Sequence, residues 1–169
     1  ETAIQPATII KSSGYFNLTS MGSLIGSGTN TKAAPFSLIS EHNYLIYKYF
    51  MTGAVVGFEL LNEAVMPLGC TVKGVLPVSQ NLFFLGVTGG YSVSLENPDE
   101  NIFTEATGGF FLNTEAGVLM PFSANSGFFM AVGYRYNELN YAREDWWLGD
   151  VERKVSYKRL VVRIGLSFY

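Results

Sequence analysis

The sequence predicts an all-β protein, an eight-stranded antiparallel up-and-down transmembrane β-barrel, and three observations carry this prediction. Residues 154–169 alternate between apolar and polar side chains, which is the period of a β-strand. The composition combines many aromatic residues with little charge. The connections between the expected strands alternate between long and short, which is typical of barrels that cross a membrane.

Composition limits the fold to two classes of β protein. Of the 169 residues, 48% are hydrophobic and 15% are charged, whereas a soluble domain carries about 25% charged residues. No apolar run approaches the roughly 18 residues that a membrane helix needs. Without a spanning helix, only a closed barrel satisfies every backbone group in lipid. Such a composition therefore fits either a large soluble β-core or a membrane barrel.

The residue counts disfavour several classes of partner and site. A formal net charge of −3 argues against nucleic acid as a partner. The single Cys70 forms no internal disulfide and no multi-cysteine metal site, and the single His42 disfavours a zinc site built from His and Cys ligands. No glycine fingerprint lies between a strand and a helix, so a nucleotide site is not supported either. We therefore expect no metal and no cofactor.

The last strand sets the expected orientation of the barrel. Its even-numbered positions from Leu160 to Phe168 are all apolar, and its odd-numbered positions include Arg159 and Arg163. Successive side chains of a strand point to opposite faces of the sheet. We therefore predict that the apolar face contacts lipid and that the two arginines point into a closed barrel.

The chain before this strand divides into a short segment and seven further strands. Residues 1–13 show no sustained alternation and are expected to form an N-terminal periplasmic segment, whereas residues 14–169 form the barrel domain. The first strand, residues 14–26, has an apolar face that is expected to contact lipid by the same rule. That face consists of Phe16, Leu18, Gly22 and Leu24. Met21 and Ile25 interrupt the polar face opposite to it.

The other strands show the same alternation. They are expected at residues 36–47, 50–61, 68–77, 83–95, 108–120, 127–140 and 154–169. Their predicted lipid-facing sets include Leu38, Phe58, Val72, Leu85, Phe110 and Met130. Glycines on the opposite, inward faces are expected to leave room for bulky neighbours in a narrow lumen.

The predicted connections alternate strictly between long and short. The long connections fall near residues 27–35, 62–67, 96–107 and 141–153, and tight turns fall at residues 47–49, 78–81 and 121–126. In membrane barrels the short turns lie on the periplasmic side and the longer loops face outward. Both termini are therefore expected on the periplasmic side.

Four segments of the chain resemble the small eight-stranded outer-membrane barrels of the OmpA/OmpX type, in the form of stand-alone barrel domains. These segments are GAVVGFELL followed by Pro67-Leu68, GGFFLNTEAGVLM, GFFMAVGYRYN and the terminal RLVVRIGLSFY. The resemblance implies a monomer in a Gram-negative outer membrane that contacts outer-membrane lipids and the outer-membrane assembly machinery. The chain begins without a charged apolar leader, so we expect that a signal peptide has been removed. In this family the terminal aromatic residue usually belongs to the lipid-facing set. This chain departs from that pattern, because Phe168 has the lipid-facing phase and Tyr169 follows it.

The charges predicted to face inward form the candidate site. The inward set is Glu41, Glu59, Lys73, Glu115, Arg135, Arg159 and Arg163. The interior of an eight-stranded barrel is only wide enough for side chains to fill, and buried charges must be paired. We predict that Glu59 and Glu115 neutralise Arg135, Arg159 and Arg163 and that this network plugs the lumen. The alternative function for the same residues is an ion path or gated pore.

The sequence favours a structural or surface-interaction role over catalysis. Trp146 and Trp147 in the last long loop are expected to anchor the protein at the membrane interface, or alternatively to bind an extracellular protein or glycan partner. A soluble lipocalin-like ligand-binding barrel, with its apolar faces turned inward, is the rival prediction. A lipid A-modifying enzyme is a third, in which His42 would act with Ser40 and Glu41. The alternation places Glu41 on the opposite face from the other two.

Overall fold

The computed structural model of the chain describes residues 13–26, 35–61, 63–96, 105–143 and 151–169, and it forms one closed barrel of eight antiparallel strands. The strands are β1 (Gly14–Ile25), β2 (Phe36–Ile46), β3 (Phe50–Leu60), β4 (Ala64–Val78), β5 (Asn81–Ser94), β6 (Glu105–Ser123), β7 (Ser126–Arg143) and β8 (Val151–Phe168). Each strand pairs with its sequence neighbours, and β8 pairs with β1 to close the sheet. The predicted fold class is confirmed. No helix in the described part of the chain is long and apolar enough to cross a membrane.

Tight turns join three of the strand pairs at one end of the barrel. They lie at residues 47–49, 79–80 and 124–125. Tyr47 and Ser79 have positive φ angles of 55° and 57°. A positive φ is what the two-residue hairpin turn at Ser79 requires. β1 begins and β8 ends at this same end, which is called the short-turn end below.

The register of the pairs fixes the tilt of the strands. Following directly paired residues once round the barrel leads from Tyr15 in β1 to Ile25 in the same strand, a stagger of ten residues. The path runs through Tyr44, Thr52, Val72, Val87, Thr114, Tyr134 and Leu160. Closure with such a stagger requires strands tilted from the barrel axis, typically by about 35–45°.

The predicted orientation of side chains is confirmed for β2 to β8. Their apolar faces point outward and form a continuous surface that is called the outer belt. Representative members, which are 37% to 70% exposed, are Leu38, Phe58, Leu68, Leu85, Phe110, Met130 and Ile164. The inward faces of the same strands carry the predicted arginines, carboxylates and Lys73, all of which are buried.

The predicted orientation of β1 is wrong. Phe16, Leu18 and Leu24 are at most 2% exposed and point into the lumen, whereas Met21 and Ile25 are 54% and 55% exposed and point outward. The reason is that both ends of the lumen are filled by apolar side chains. An apolar face on this strand therefore does not indicate contact with lipid.

The strict alternation of connection lengths is also wrong at one place. β4 begins at Ala64, so only residues 61–63 separate it from β3, whereas the sequence predicted a connection at residues 62–67. Pro67 had marked the supposed connection, yet it lies within β4 and pairs with Ser92 of β5. The β3–β4 ladder has no bridge at Pro67, because proline has no backbone N–H to donate.

Candidate functional site

The interior of the barrel is layered, with a charged layer between two apolar ones. The apolar layer at the short-turn end consists of Phe16, Leu18, Leu45, Met51, Val75, Leu82, Phe84, Leu119, Phe129 and Ala131. The apolar layer at the opposite end consists of Leu24, Leu61, Val65, Leu139, Tyr157 and Val161. The charges Glu41, Lys73, Glu115 and Arg163 lie between these two layers. Arg159 instead lies within the second layer, between Tyr157 and Val161 of β8.

Four of these charges form a closed cycle of ion pairs, which is called the ionic ring. Lys73 Nζ lies 2.6 Å from Glu41 Oε2 and 2.6 Å from Glu115 Oε1. Arg163 Nη2 lies 2.7 Å from Glu41 Oε1 and also contacts Glu115 Oε2. Each charge in the cycle thus has two neighbours of opposite sign.

Barrel geometry explains why these four residues meet. Glu41, Lys73, Glu115 and Arg163 belong to β2, β4, β6 and β8, so each alternate strand contributes one side chain to the same layer. Inward side chains from alternate strands commonly stack in such layers in closed barrels. The signs alternate around the layer, so the ring has no net charge. Mutual attraction then offsets the cost of removing four ions from water.

A second ion pair joins two odd-numbered strands. Arg135 of β7 donates through Nη2 to Glu59 Oε2 of β3 at 2.8 Å, and its guanidinium lies 3.9 Å from the centre of the Phe111 ring. Glu59 also accepts a hydrogen bond from Ser37 Oγ at 3.2 Å. This carboxylate is therefore fully engaged by Arg135 and a hydroxyl.

Arg159 is the exception among the predicted residues. It lies directly opposite Arg135 in the β7–β8 register and is 3% exposed. Its Nη1 donates to the Leu24 carbonyl at 3.4 Å, while its Nη2 has no hydrogen-bond partner. Among the described residues, no carboxylate lies within ion-pair distance of Arg159. The structure thus does not bring Arg159 to either Glu59 or Glu115.

The predicted network omitted two residues that the structure places at its centre, Glu41 and Lys73. Both had the inward phase, which was the available signal. Alternation along a strand reports which face a residue occupies but not its height relative to residues on other strands. The pairing of Lys73 with Glu115 follows from two ladders, because both residues lie opposite Gly86 of β5, and this register was not available from the sequence.

Little space remains between the charged side chains. A cavity of about 10 Å³ lies beside Glu59, Arg135 and Arg163, which is room for about one water molecule. Glycines allow this density, as predicted. A Cβ at Gly117 would lie 2.5 Å from the Phe84 ring, and a Cβ at Gly165 would lie 2.7 Å from the Phe129 ring.

Tyr169 covers the apolar layer at the short-turn end of the barrel. Tyr169 packs against Phe16 with ring centres 5.2 Å apart, and its hydroxyl donates to the Ser126 carbonyl at 2.9 Å. Burial raises the pKa of the Tyr169 phenol, so it keeps the proton that it donates. Phe168 points outward and is 46% exposed. The lipid-facing phase predicted for Phe168 is therefore confirmed.

A polar group interrupts the outer belt near the short-turn end. It is called the outer polar cluster and consists of Tyr15, Asn17, Thr19, Ser40 and His42. The Tyr15 hydroxyl lies 2.6 Å from His42 Nδ1, and His42 Nε2 lies 3.4 Å from Ser40 Oγ. Asn17 Nδ2 donates to Ser40 Oγ at 3.2 Å, and Thr19 Oγ1 donates to Asn17 Oδ1 at 2.9 Å. The five side chains form one connected network on the outer surface.

The remaining predicted residues lie on the outer surface or outside the described part of the chain. Trp146 and Trp147 lie outside the described residues, so their role as anchor or partner contact stays a prediction. Cys70 is exposed on the outer surface. Within the described ranges, no group of three or more His, Cys, Asp or Glu side chains could hold a metal ion.

The outer surface also carries an apolar groove of about 710 Å³ across β4 to β7, floored by small residues such as Gly74 and Ala116. Its lining is almost entirely apolar and continuous with the outer belt. Hydrocarbon chains of any surrounding lipid or detergent can fill such a groove. It therefore specifies no particular ligand.

Comparison with known proteins gives matches in fold alone. No family model matches the chain, and no curated protein matches it. The crystal structure of the outer membrane protein OprG from Pseudomonas aeruginosa has a TM-score of 0.69 and 14% identity, covering 95% of this chain and 97% of that one. The solid-state NMR structure of the outer membrane protein AlkL in DMPC bilayers has a TM-score of 0.61 and 11% identity, covering 99% and 94%. A de novo designed transmembrane β-barrel has a TM-score of 0.53 and 14% identity, covering 93% and 94%. The chain has the fold of the small eight-stranded barrels of outer membranes.

Proposed function

We propose that this chain is an integral outer-membrane protein whose lumen is closed by its own side chains and whose role is structural or in surface interaction. The observation that carries the proposal is the inverted distribution of side chains. Apolar residues form the outer belt, while Glu41, Lys73, Glu115 and Arg163 pair in the interior. Charges on a lipid-facing surface would cost about 2–4 kcal/mol each for Arg or Lys at the bilayer midplane.

Outer-membrane residence is supported by the belt and by the fold. Side chains such as Leu85 and Ile164, which are 70% and 52% exposed, would be an aggregation hazard on a protein in water. In a bilayer the same surface is matched to acyl chains. The barrels of OprG and AlkL, which share the fold, are both outer membrane proteins.

The rival function of a soluble ligand carrier requires an apolar cavity inside the barrel. Ligand pockets usually have volumes of about 300–1,000 Å³. The cavity beside Glu59 and Arg135 has only about 10 Å³, and charged side chains form part of its wall. The side chains that such a carrier would expose to water, including Arg135 and Arg163, are at most 5% exposed.

Closure of the lumen is supported by its three layers. An ion that crosses the barrel would have to displace two apolar layers and break the ionic ring between them. Each step carries a large desolvation cost. The proposal therefore includes no stable conductance.

A lipid A-modifying enzyme is the second candidate, because the structure brings a serine and a histidine together on the lipid-facing side. His42 Nε2 lies 3.4 Å from Ser40 Oγ, and Tyr15 orients the other ring nitrogen. The acidic residue predicted to act with them does not join them, because Glu41 is buried in the ionic ring. Mass spectrometry of lipid A from cells with and without the protein tests this candidate, and unchanged acyl patterns would end it.

One pair of measurements tests the main proposal. The purified barrel should require detergent to stay in solution and should give no stable openings in planar lipid bilayers. A protein that remains dispersed after detergent removal would contradict the membrane location. Stable, large openings would contradict closure of the lumen while leaving the membrane location intact.

In a surface-interaction role, the long loops would contact extracellular molecules and the barrel would hold the loops in place. Trp146 and Trp147 are the proposed anchor or contact residues for an extracellular protein or glycan, and the barrel is proposed to be monomeric. A pull-down comparing the intact chain with a Trp146→Ser, Trp147→Ser variant tests this role. Equal recovery of surface ligands by both proteins would remove these tryptophans from it.

A further inference from the structure

We propose that the outer surface of β1–β3 near the short-turn end binds one zwitterionic glycerophospholipid. The site comprises the outer polar cluster and a neighbouring cavity of about 530 Å³. The cavity is lined by Ser13, Tyr44, Ile46, Tyr47, Lys48 and Tyr49. This inference rests on the membrane orientation proposed above, in which this surface faces the periplasmic leaflet.

The cavity has the chemistry of a headgroup site. Lys48 supplies a cation that attracts a phosphate, and three tyrosine rings supply faces that attract an ammonium group. A zwitterionic headgroup contains both of these charges. Tyr47 has a φ of 55°, a conformation that glycine or asparagine adopts more readily.

The polar cluster adjoins the cavity directly. Tyr15 of the cluster pairs with Tyr44 of the cavity in the β1–β2 register. Asn17 lies opposite Phe168, the last residue of β8, which places the cluster at the boundary of the outer belt. The five side chains satisfy one another in part, but a polar cluster on a lipid-facing surface still costs free energy unless its remaining donors and acceptors find partners. The ester and phosphate oxygens of a lipid at this depth are acceptors for the hydroxyl donor of Ser40, whose oxygen already accepts from Asn17 Nδ2.

A furrow for an acyl chain leads away from the cluster. The register continues from His42 to three small outward residues on successive strands, Ala54, Cys70 and Gly89. On one side of this row runs a ridge of larger side chains, Val56, Leu68 and Tyr91, and on the other side runs the ridge Thr52, Val72 and Val87. The furrow alone would not specify a ligand. The polar donors at one end indicate that the headgroup lies at that end and the acyl chain along the furrow.

The test is lipid retention by the intact barrel released from nanodiscs that contain phosphatidylethanolamine and phosphatidylglycerol, measured by native mass spectrometry. The wild type should retain one phosphatidylethanolamine. Lys48→Gln and the double variant Ser40→Ala, His42→Leu should each lower the retained fraction about tenfold, which corresponds to the loss of about one charge-assisted hydrogen bond. Inorganic phosphate at millimolar concentration should not displace the lipid.

Two matched controls carry the same chemistry elsewhere on the outer surface. Lys158→Gln removes an exposed lysine near the opposite end of β8, and Thr114→Val removes an isolated outward hydroxyl of β6. Both should retain lipid as the wild type does. Equal retention in all variants, no retained lipid in the wild type, displacement by inorganic phosphate, or a cross-linked second copy at His42→Cys would each overturn the inference. Failure of the barrel to enter nanodiscs would instead count against the proposed function.

Discussion

At the scale of single residues, the interior distinguishes charges that are paired from one that is not. Arg163 contacts two carboxylates and donates to Ser20 Oγ at 3.4 Å. Arg159 has a carbonyl partner and an unpartnered Nη2. Removing one member of a buried pair strands the other, whereas removing an unpaired buried charge relieves a desolvation cost. The two arginines should therefore respond oppositely to substitution.

Replacing Arg163 by glutamine should destabilise the barrel strongly. Glu41 and Glu115 would then share a single cation, Lys73, although both carboxylates are buried. Breaking a buried ion pair in this way costs about 3–5 kcal/mol. Reversible urea unfolding in lipid vesicles measures the loss, with Lys158→Gln as the control that should leave the midpoint unchanged. A variant as stable as the wild type would show that the ionic ring contributes little.

Replacing Arg159 by methionine should be neutral or should stabilise the barrel. Methionine keeps most of the side-chain volume beside Leu24 and Tyr157, while a buried charge with no carboxylate partner among the described residues disappears. The lost contacts are one long hydrogen bond to the Leu24 carbonyl and the Tyr157 ring 5.4 Å from the guanidinium. The same urea titration provides the measurement. A loss comparable to that of Arg163→Gln would mean that Arg159 has an anionic partner in solution.

At the scale of elements, alternation predicted the inward and outward faces of seven strands and failed for β1. The rule assumes that apolar means outward, and this holds where the interior is charged. Phe16 and Leu18 belong to an apolar layer inside the lumen. The sequence pattern of their face is therefore the same as that of a lipid-facing strand face. Polar residues that face outward, such as Asn17 and Thr19, completed the false pattern.

The other error at this scale concerns the connection predicted at residues 62–67. Its last residue, Pro67, lies within β4, because an antiparallel strand tolerates a proline where a neighbouring ladder omits a bridge. The pairing of Lys73 with Glu41 and the isolation of Arg159 were out of reach for a different reason. Both depend on the stagger of the closed sheet, which no local pattern along one strand encodes.

The turn between β4 and β5 offers a test of backbone strain. Ser79 adopts a φ of 57°, where glycine avoids a steric cost of about 1–2 kcal/mol that a residue with a Cβ pays. Ser79→Gly should therefore raise the urea midpoint modestly, by less than this cost because glycine gains freedom in the unfolded chain. Gln80→Gly, at the next position of the turn, should not raise it. Equal changes in the urea midpoint for the two substitutions would contradict backbone strain at Ser79.

At the scale of the whole molecule, the barrel accounts for a composition that is rich in apolar residues and poor in charge. The chain has too few charges for an ordinary soluble surface, and six of them form ion pairs inside the barrel. Closure removes the sheet edges, so every strand has two partners. The outcome is a closed cylinder with an apolar outer surface and paired charges inside.

The most direct test of this arrangement is an NMR measurement of methyl groups in nanodiscs whose lipids carry a spin label on the acyl chain. The outward methyls of Leu160, Val162 and Ile164 should be broadened strongly, while those of Val161 and Leu18, which are 4% and 1% exposed, should be spared. Broadening of Val161 and Leu18 with sparing of Val162 and Ile164 would contradict the orientation. It would place the apolar residues around an inner cavity and the arginines outside.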